Sequence, residues 1–147
     1  LFRDSLYSGH GVVWNVKLQR LFALGFDELR SYRLAARNSA KPLLVLEKSW
    51  KLPDEGGHDL SAIDDNTMIV STHHNVFNFD IPKEQFTVFE LLAGKHDIKA
   101  ANYNKATRRL VYTQAEQSWW TFNIYSVNAD QTIYSPDIKL YKVRVLK

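Results

Sequence analysis

Three segments of this chain set a histidine beside or just after glycine: Ser8-Gly9-His10-Gly11-Val12, Gly56-Gly57-His58-Asp59-Leu60 and Gly94-Lys95-His96-Asp97-Ile98. His10, His58 and His96 recur at a spacing of roughly 40 to 50 residues, the period of a stacked repeat. A similar succession of short apolar stretches follows each one. After His10 come His10–Trp14, Arg20–Leu24, a turn through Gly25-Phe26-Asp27-Glu28, and Leu29–Leu34. After His58 come His58–Ala62, Thr67–Ser71, a turn through Thr72-His73-His74-Asn75, and Val76–Ile81. After His96 come His96–Ala100, Arg109–Thr113, a longer turn through Gln117, and Trp119–Ile124. A fourth stretch closes each unit: Pro42–Lys48, Phe86–Leu92 and Ile138–Val145.

Four short strands per unit at this period are the pattern of β-propeller blades. A lone four-stranded sheet cannot bury both faces, whereas blades stacked around an axis bury them and leave only short edges. The expected fold is therefore all-β: a propeller fragment of about three antiparallel blades, at approximately 8–50, 54–93 and 94–147, in a single domain. Val12, Val13, Leu60, Ile63 and Ile98 suit the first strand of each blade, next to the axis. A β-sandwich of the same strands is the ordinary competitor. Leu18, Leu21, Phe22, Gly25, Leu29 and Tyr32 also recur at helical spacing, and Lys83–Lys95 is similarly ambiguous. Strands are preferred because Gly25 and Asp27 fall where the other units carry polar turns, and one alignment accounts for all three.

Known propellers close with roughly four to eight blades. Three blades would leave large apolar faces open, so the expected partners are the remaining blades or a second copy of the chain. The chain opens at Leu1 and not Met, as an excised part or processed product would.

The 13% aromatic share favours strands. Cysteine is absent, which removes disulfides, thiolate metal sites and thiol nucleophiles. The net charge of +3 is spread along the chain, with the densest cluster at Lys105, Arg108 and Arg109 and a second at Lys139, Lys142, Arg144 and Lys147. This reads as a solvated surface, and no nucleic-acid partner is expected. No apolar run reaches the ~18 residues of a membrane span.

Gly9-His10-Gly11-Val12-Val13-Trp14, Leu21-Phe22-Ala23-Leu24-Gly25, Gly56-Gly57-His58-Asp59-Leu60, Tyr112-Thr113-Gln114-Ala115, Trp119-Trp120-Thr121 and Tyr141-Lys142-Val143-Arg144 occur in this order. Together they resemble a bacterial β-propeller family of unknown function, and the chain resembles the C-terminal half of a member. The resemblance implies missing blades and points to the cell envelope, the periplasm or secretion. It implies no particular activity. Gly-His is also similar to WD40 repeats, but those pair it with Trp-Asp, a dipeptide this chain lacks.

The chemistry follows from the repeat. If His10, His58 and His96 hold matching places at the starts of inner strands, three imidazoles face one central mouth. Three neutral nitrogens with an open position suit a divalent transition metal, with Asp59 and Asp97 as acceptors that orient the rings. The competing role is a staple within the blade. His73 and His74 are expected in an exposed turn. One of Trp119 and Trp120 is expected to face outward beside Gln114, where it can stack on a sugar, and Trp14 is a further stacking candidate. No catalytic residue is identified, since no spacing selects a carboxylate pair and no nucleophile elbow, phosphate loop or zinc helix occurs.

The function these residues favour is binding of a small molecule or carbohydrate at the central pocket, through His10, Trp14, His58, His96, Lys99, Gln114, Trp119 and Trp120. The alternatives are a metal-dependent polysaccharide lyase or hydrolase using the histidines, with Lys99 or Tyr103 as acid or base, and a non-catalytic interaction scaffold.

Overall fold

A computed structural model describes residues 3–129 and 131–145. Among these residues twelve strands form three four-stranded antiparallel sheets. The first sheet holds β1 (Gly11–Asn15), β2 (Arg20–Leu24), β3 (Glu28–Ala35) and β4 (Leu43–Lys51). The second holds β5 (Asp59–Ala62), β6 (Thr67–Ser71), β7 (Val76–Asp80) and β8 (Gln85–Val88). The third holds β9 (Ile98–Asn104), β10 (Arg109–Gln114), β11 (Asn123–Val127) and β12 (Ile133–Tyr134). Each sheet runs in chain order from inner to outer strand. The fold is a β-propeller fragment of three blades. Among the described residues no helix is long and apolar enough to cross a membrane.

Alternation along the strands supplies two cores. Phe22, Leu24, Leu29, Leu52, Leu60, Met68, Val70 and Phe79 are buried between the first and second sheets. Ile69, Val76, Phe89, Leu92, Ile98, Ala101, Leu110 and Tyr112 are buried between the second and third. Neighbouring residues Met68 and Ile69 thus serve opposite faces of β6, as a two-residue period requires. The helical spacing of Leu18 to Tyr32 is absorbed by a hairpin in which Arg20–Leu24 pairs with Leu29–Arg33.

Glycine permits the close approach of the inner strands. A Cβ on Gly11 would sit 2.9 Å from Leu60 Cβ, and one on Gly57 would overlap the carbonyl oxygen of Gly25. Gly57 N–H also donates to the carbonyl of Phe26 (2.8 Å), tying the second blade to the turn of the first.

Three segments depart from the sequence reading. The strand expected at Phe86–Leu92 ends at Val88, and Glu90–Leu92 forms a 3-10 turn that buries Leu92. Trp119 and Trp120 lie ahead of β11, in a loop closed by a Gln117–Trp120 bridge. Residues 138–145 do not form the fourth strand of the third blade, a place taken by Ile133–Tyr134. Leu140 makes one bridge to Thr121, and the chain then runs past β10 and β9. There Thr113 Oγ1 donates to the carbonyl of Tyr141 (2.8 Å) and Asn102 Nδ2 to that of Val143 (2.9 Å).

The outer face of the first blade is unpaired. Val13 packs into the first core, so alternation turns Val12 and Trp14 away from it. Val12 is 69% exposed, and Leu46, paired with Tyr32 on β4, is 46% exposed.

Candidate functional site

The inner-strand starts bring a polar cluster together from all three blades. His10 N–H donates to the carbonyl of Leu24 and His58 N–H to that of Ser71, so the two histidines hold equivalent places before β1 and β5. In the third blade Thr113 and Gln114 pair with Ala100 and Ile98, a register shift that leaves Lys99 between them, and Asp97 N–H donates to the carbonyl of His73 in the second blade (2.8 Å). His96 lies two residues ahead of β9. It is exposed, its Nδ1 lies 2.9 Å from Asp97 Oδ2, and it does not join the other two.

His73 stands beside His58 instead. Its ring centroid is 4.7 Å from that of His58, and His10 is 6.0 Å away on another side. The ring of His73 fills the space over Gly56, where any Cβ would overlap it. Gly56 also has φ +72°, a left-handed conformation that disfavours other residues. His74, the neighbour, is exposed and bonded to Asp54. The turn expected to be exposed thus sends one histidine in and one out.

Lys99, one of the sequence candidates, is 5% exposed and places Nζ 2.7 Å from Nε2 of His58 and 3.3 Å from Asp97 Oδ1. An ammonium has three donors and no acceptor, so Nε2 accepts and the imidazole is neutral with its proton on Nδ1. Burial, then the charge of Lys99, pushes the His58 pKa down to about 3. His58 is 8% exposed, and Nδ1 has no hydrogen-bond partner among the described residues. Burial and then the charges of Lys142 and Lys99 hold His10 below its ordinary value as well.

The C-terminal segment completes the cluster. Asp59, 2% exposed, receives Arg144 on both oxygens (2.5 and 3.1 Å), Lys142 at 3.3 Å and the backbone N–H of Ala101 at 3.3 Å. Asp59 therefore anchors this segment and does not orient a histidine. Lys142 also donates to the carbonyl of His10. The Tyr141 hydroxyl lies 3.4 Å from His10 Nδ1. Tyr141 in turn meets Trp119 edge-on at 5.9 Å, and Trp119 is 58% exposed. A cleft of about 450 Å³ opens at this end, with His10, Gly11, Val12 and Arg144 in its wall.

The remaining sequence candidates lie elsewhere or are engaged. Trp14 is on the outer face of the first blade. Trp120 carries Lys139 over its ring at 4.6 Å and packs on Phe122. Gln114 Nε2 donates to the carbonyl of His96 (3.0 Å). Tyr103 packs against the second core with its ring on Phe89. The expected three-histidine metal face is not assembled: among the described residues no group of three or more His, Cys, Asp or Glu side chains is arranged to hold a metal ion. The nitrogen of His58 that faces Lys99 already accepts from an ammonium, which would also repel a cation.

No family model matches the chain, and no curated protein matches it. Among solved structures it is similar to the N-terminal domain of Nup159, at 15% identity and a TM-score of 0.53, over 88% of this chain and 34% of that one. It is also similar to a Bacteroides uniformis protein described as a "putative 6-phosphogluconolactonase", at 15% identity and a TM-score of 0.53, over 91% of this chain and 44% of that one. At such identity the likeness concerns the fold alone. The chain spans less than half the length of either structure.

Proposed function

We propose that this chain is part of a ligand-binding β-propeller, and that its ligand is a small molecule or carbohydrate held at the inner-strand starts. One observation carries the reading: His58 is buried, its neutral tautomer is fixed by Lys99, and its Nδ1–H has no acceptor among the described residues. A buried donor left unpaired costs about 1–3 kcal/mol. A ligand oxygen that reached this donor would remove the cost. Trp119 and Tyr141 form an aromatic edge beside the cleft wall at His10, suited to the face of a sugar ring.

The rest of the ring belongs to the same reading. Three blades spanning 34 to 44% of the matched structures' lengths leave room for further blades in a closed ring. The apolar outer face of the first blade, with Val12, Trp14 and Leu46, is the surface on which a further propeller blade packs.

The test is a titration of intrinsic tryptophan fluorescence with a panel of neutral, amino and acidic mono- and oligosaccharides. Binding by some members, weakened at least tenfold by Trp119→Ala, is expected. Silence across the panel, or equal binding by Trp119→Ala, would overturn the assignment.

A further inference from the structure

The third blade turns outward a polar face that neither core absorbs. Leu110 and Tyr112 of β10 pack toward the second blade, so alternation sends Arg109 and Val111 to the opposite face. Their cross-strand partners on β9 are Asn104 and Asn102, which share that face. A cavity of about 440 Å³ opens there, walled further by Val145 and by Asn128, the residue after β11. Its size is that of a small-molecule site. It lies where β9 ends and β10 begins, whereas Lys99 meets His58 near the start of β9.

Each asparagine in the wall has one half of its amide committed and the other left over. Asn102 Nδ2 donates to the carbonyl of Val143 (2.9 Å) and Asn128 Nδ2 to that of Arg108 (3.0 Å), which leaves two Oδ1 acceptors. Asn104 does the reverse. Its Oδ1 accepts from the N–H groups of Ala106 and Thr107 (3.0 and 3.1 Å), which leaves Nδ2 as a donor. All the committed bonds are to backbone, so they fix which half of each amide remains. Arg109 adds guanidinium donors, and among the described residues no carboxylate lines the cavity to occupy them.

We propose that this cavity is a second binding site, for a neutral polyhydroxylated ring such as a monosaccharide or a cyclitol. A hydroxyl both donates and accepts. Neighbouring hydroxyls can therefore donate to Asn102 and Asn128 and accept from Asn104 and Arg109, while Val111 and Val145 meet the C–H groups of the ring. An apolar occupant, including a blade face like those that fill the two cores, would take these amide halves from water and return no hydrogen bond. The site does not depend on His58, and either can stand without the other.

The test is a titration of the nitrogen-15-labelled chain with myo-inositol, glucose and cyclohexanol, followed at the side-chain amides of Asn102, Asn104 and Asn128 and the indole of Trp119. Myo-inositol or glucose should move the three amides, leave the indole in place, and bind at least tenfold more tightly than cyclohexanol, which has the ring but a single hydroxyl. Arg109→Gln, a change at an exposed side chain, should weaken that binding at least fivefold. Val111→Trp fills the cavity without cutting any of these hydrogen bonds and should abolish it, with thermal unfolding as the check that the variant folds; Arg109→Gln carries the comparison if it does not. Amides that stay fixed with all three probes would overturn the proposal. So would equal binding of cyclohexanol, or binding undiminished in Arg109→Gln. Shifts confined to the Trp119 indole would overturn this second site and leave the site at the inner-strand starts standing.

Discussion

Acidification should destabilise this protein through His58 well before its carboxylates protonate. The ring is neutral when folded, with a pKa of about 3 against an ordinary value of 6.5. The unfolded chain therefore takes up a proton at this residue as pH falls below 6.5, and the folded chain does not until pH approaches 3. The stability associated with neutral His58 is complete above pH 6.5 and is lost progressively between those two values. From pH 7 to pH 5 the loss is about 2 kcal/mol for one such group. With a urea slope of about 1.5 kcal/mol/M this moves the unfolding midpoint by ~1.3 M.

Other groups titrate in the same window, so the informative quantity is a difference. His10 is also depressed and acts in the same direction. His74 is raised by its bond to Asp54 and acts in the opposite one, its stabilisation being present at low pH and lost as pH rises. Asp97 and Asp54 are held below their ordinary values, so their contributions fade only below this window. His58→Gln keeps an oxygen for Lys99 but cannot titrate, and it leaves the other groups in place. Urea unfolding at pH 7, 6 and 5 should show the wild type losing about 2 kcal/mol more than the variant. Equal losses in the two proteins would mean that His58 is not held neutral by burial and Lys99, and the reasoning about the site would fail with it.

Four further predictions concern the framework. Gly57→Ala should cost about 2–3 kcal/mol in thermal or urea unfolding, because its Cβ meets backbone and not a movable side chain; Gly94→Ala, with open space but φ +74°, should cost only about 1–2 kcal/mol. Phe79→Ala, which empties a fully buried site between Trp50 and Phe86, should cost about 3–5 kcal/mol by the same measurement. Asp59→Asn should cost about 1–2 kcal/mol, since Arg144 and Lys142 lose their carboxylate but stay partly solvated, and limited proteolysis should then cut near Tyr141 first.

The blades were legible because their information is local. Arg20–Leu24 and Thr67–Ser71 match the observed strands residue for residue, since each is a short apolar run bounded by polar turns. The site was only half legible, because its geometry depends on register between distant strands. His96 follows the same motif as His58, yet β9 begins two residues later, at Ile98, and its register with β10 shifts opposite Thr113 and Gln114. His73 gave no signal of its own, since whether a turn residue points inward is decided by the absence of a side chain on Gly56. The Trp119-Trp120 pair resembled a strand by composition, but Glu116 gathers Thr121, Asn123 and Tyr125 around its carboxylate and folds the preceding residues into a loop.

Gly56, Gly57 and His58 act as one device, and that bears on whether the cluster is more than a staple. Gly57 lets the second blade close onto the Gly25 carbonyl, and Gly56 makes room for the His73 ring. Together they draw His58 out of solvent. A staple needs only what the backbone already supplies, the bond from His58 N–H to the Ser71 carbonyl at 2.8 Å. Any residue but proline would make that bond. The imidazole adds a buried acceptor that Lys99 occupies and a buried donor with no partner among the described residues. An apolar side chain would remove that donor but would also leave the buried Lys99 ammonium without its acceptor, so the fold itself uses one ring nitrogen of His58 and leaves the other unpaired.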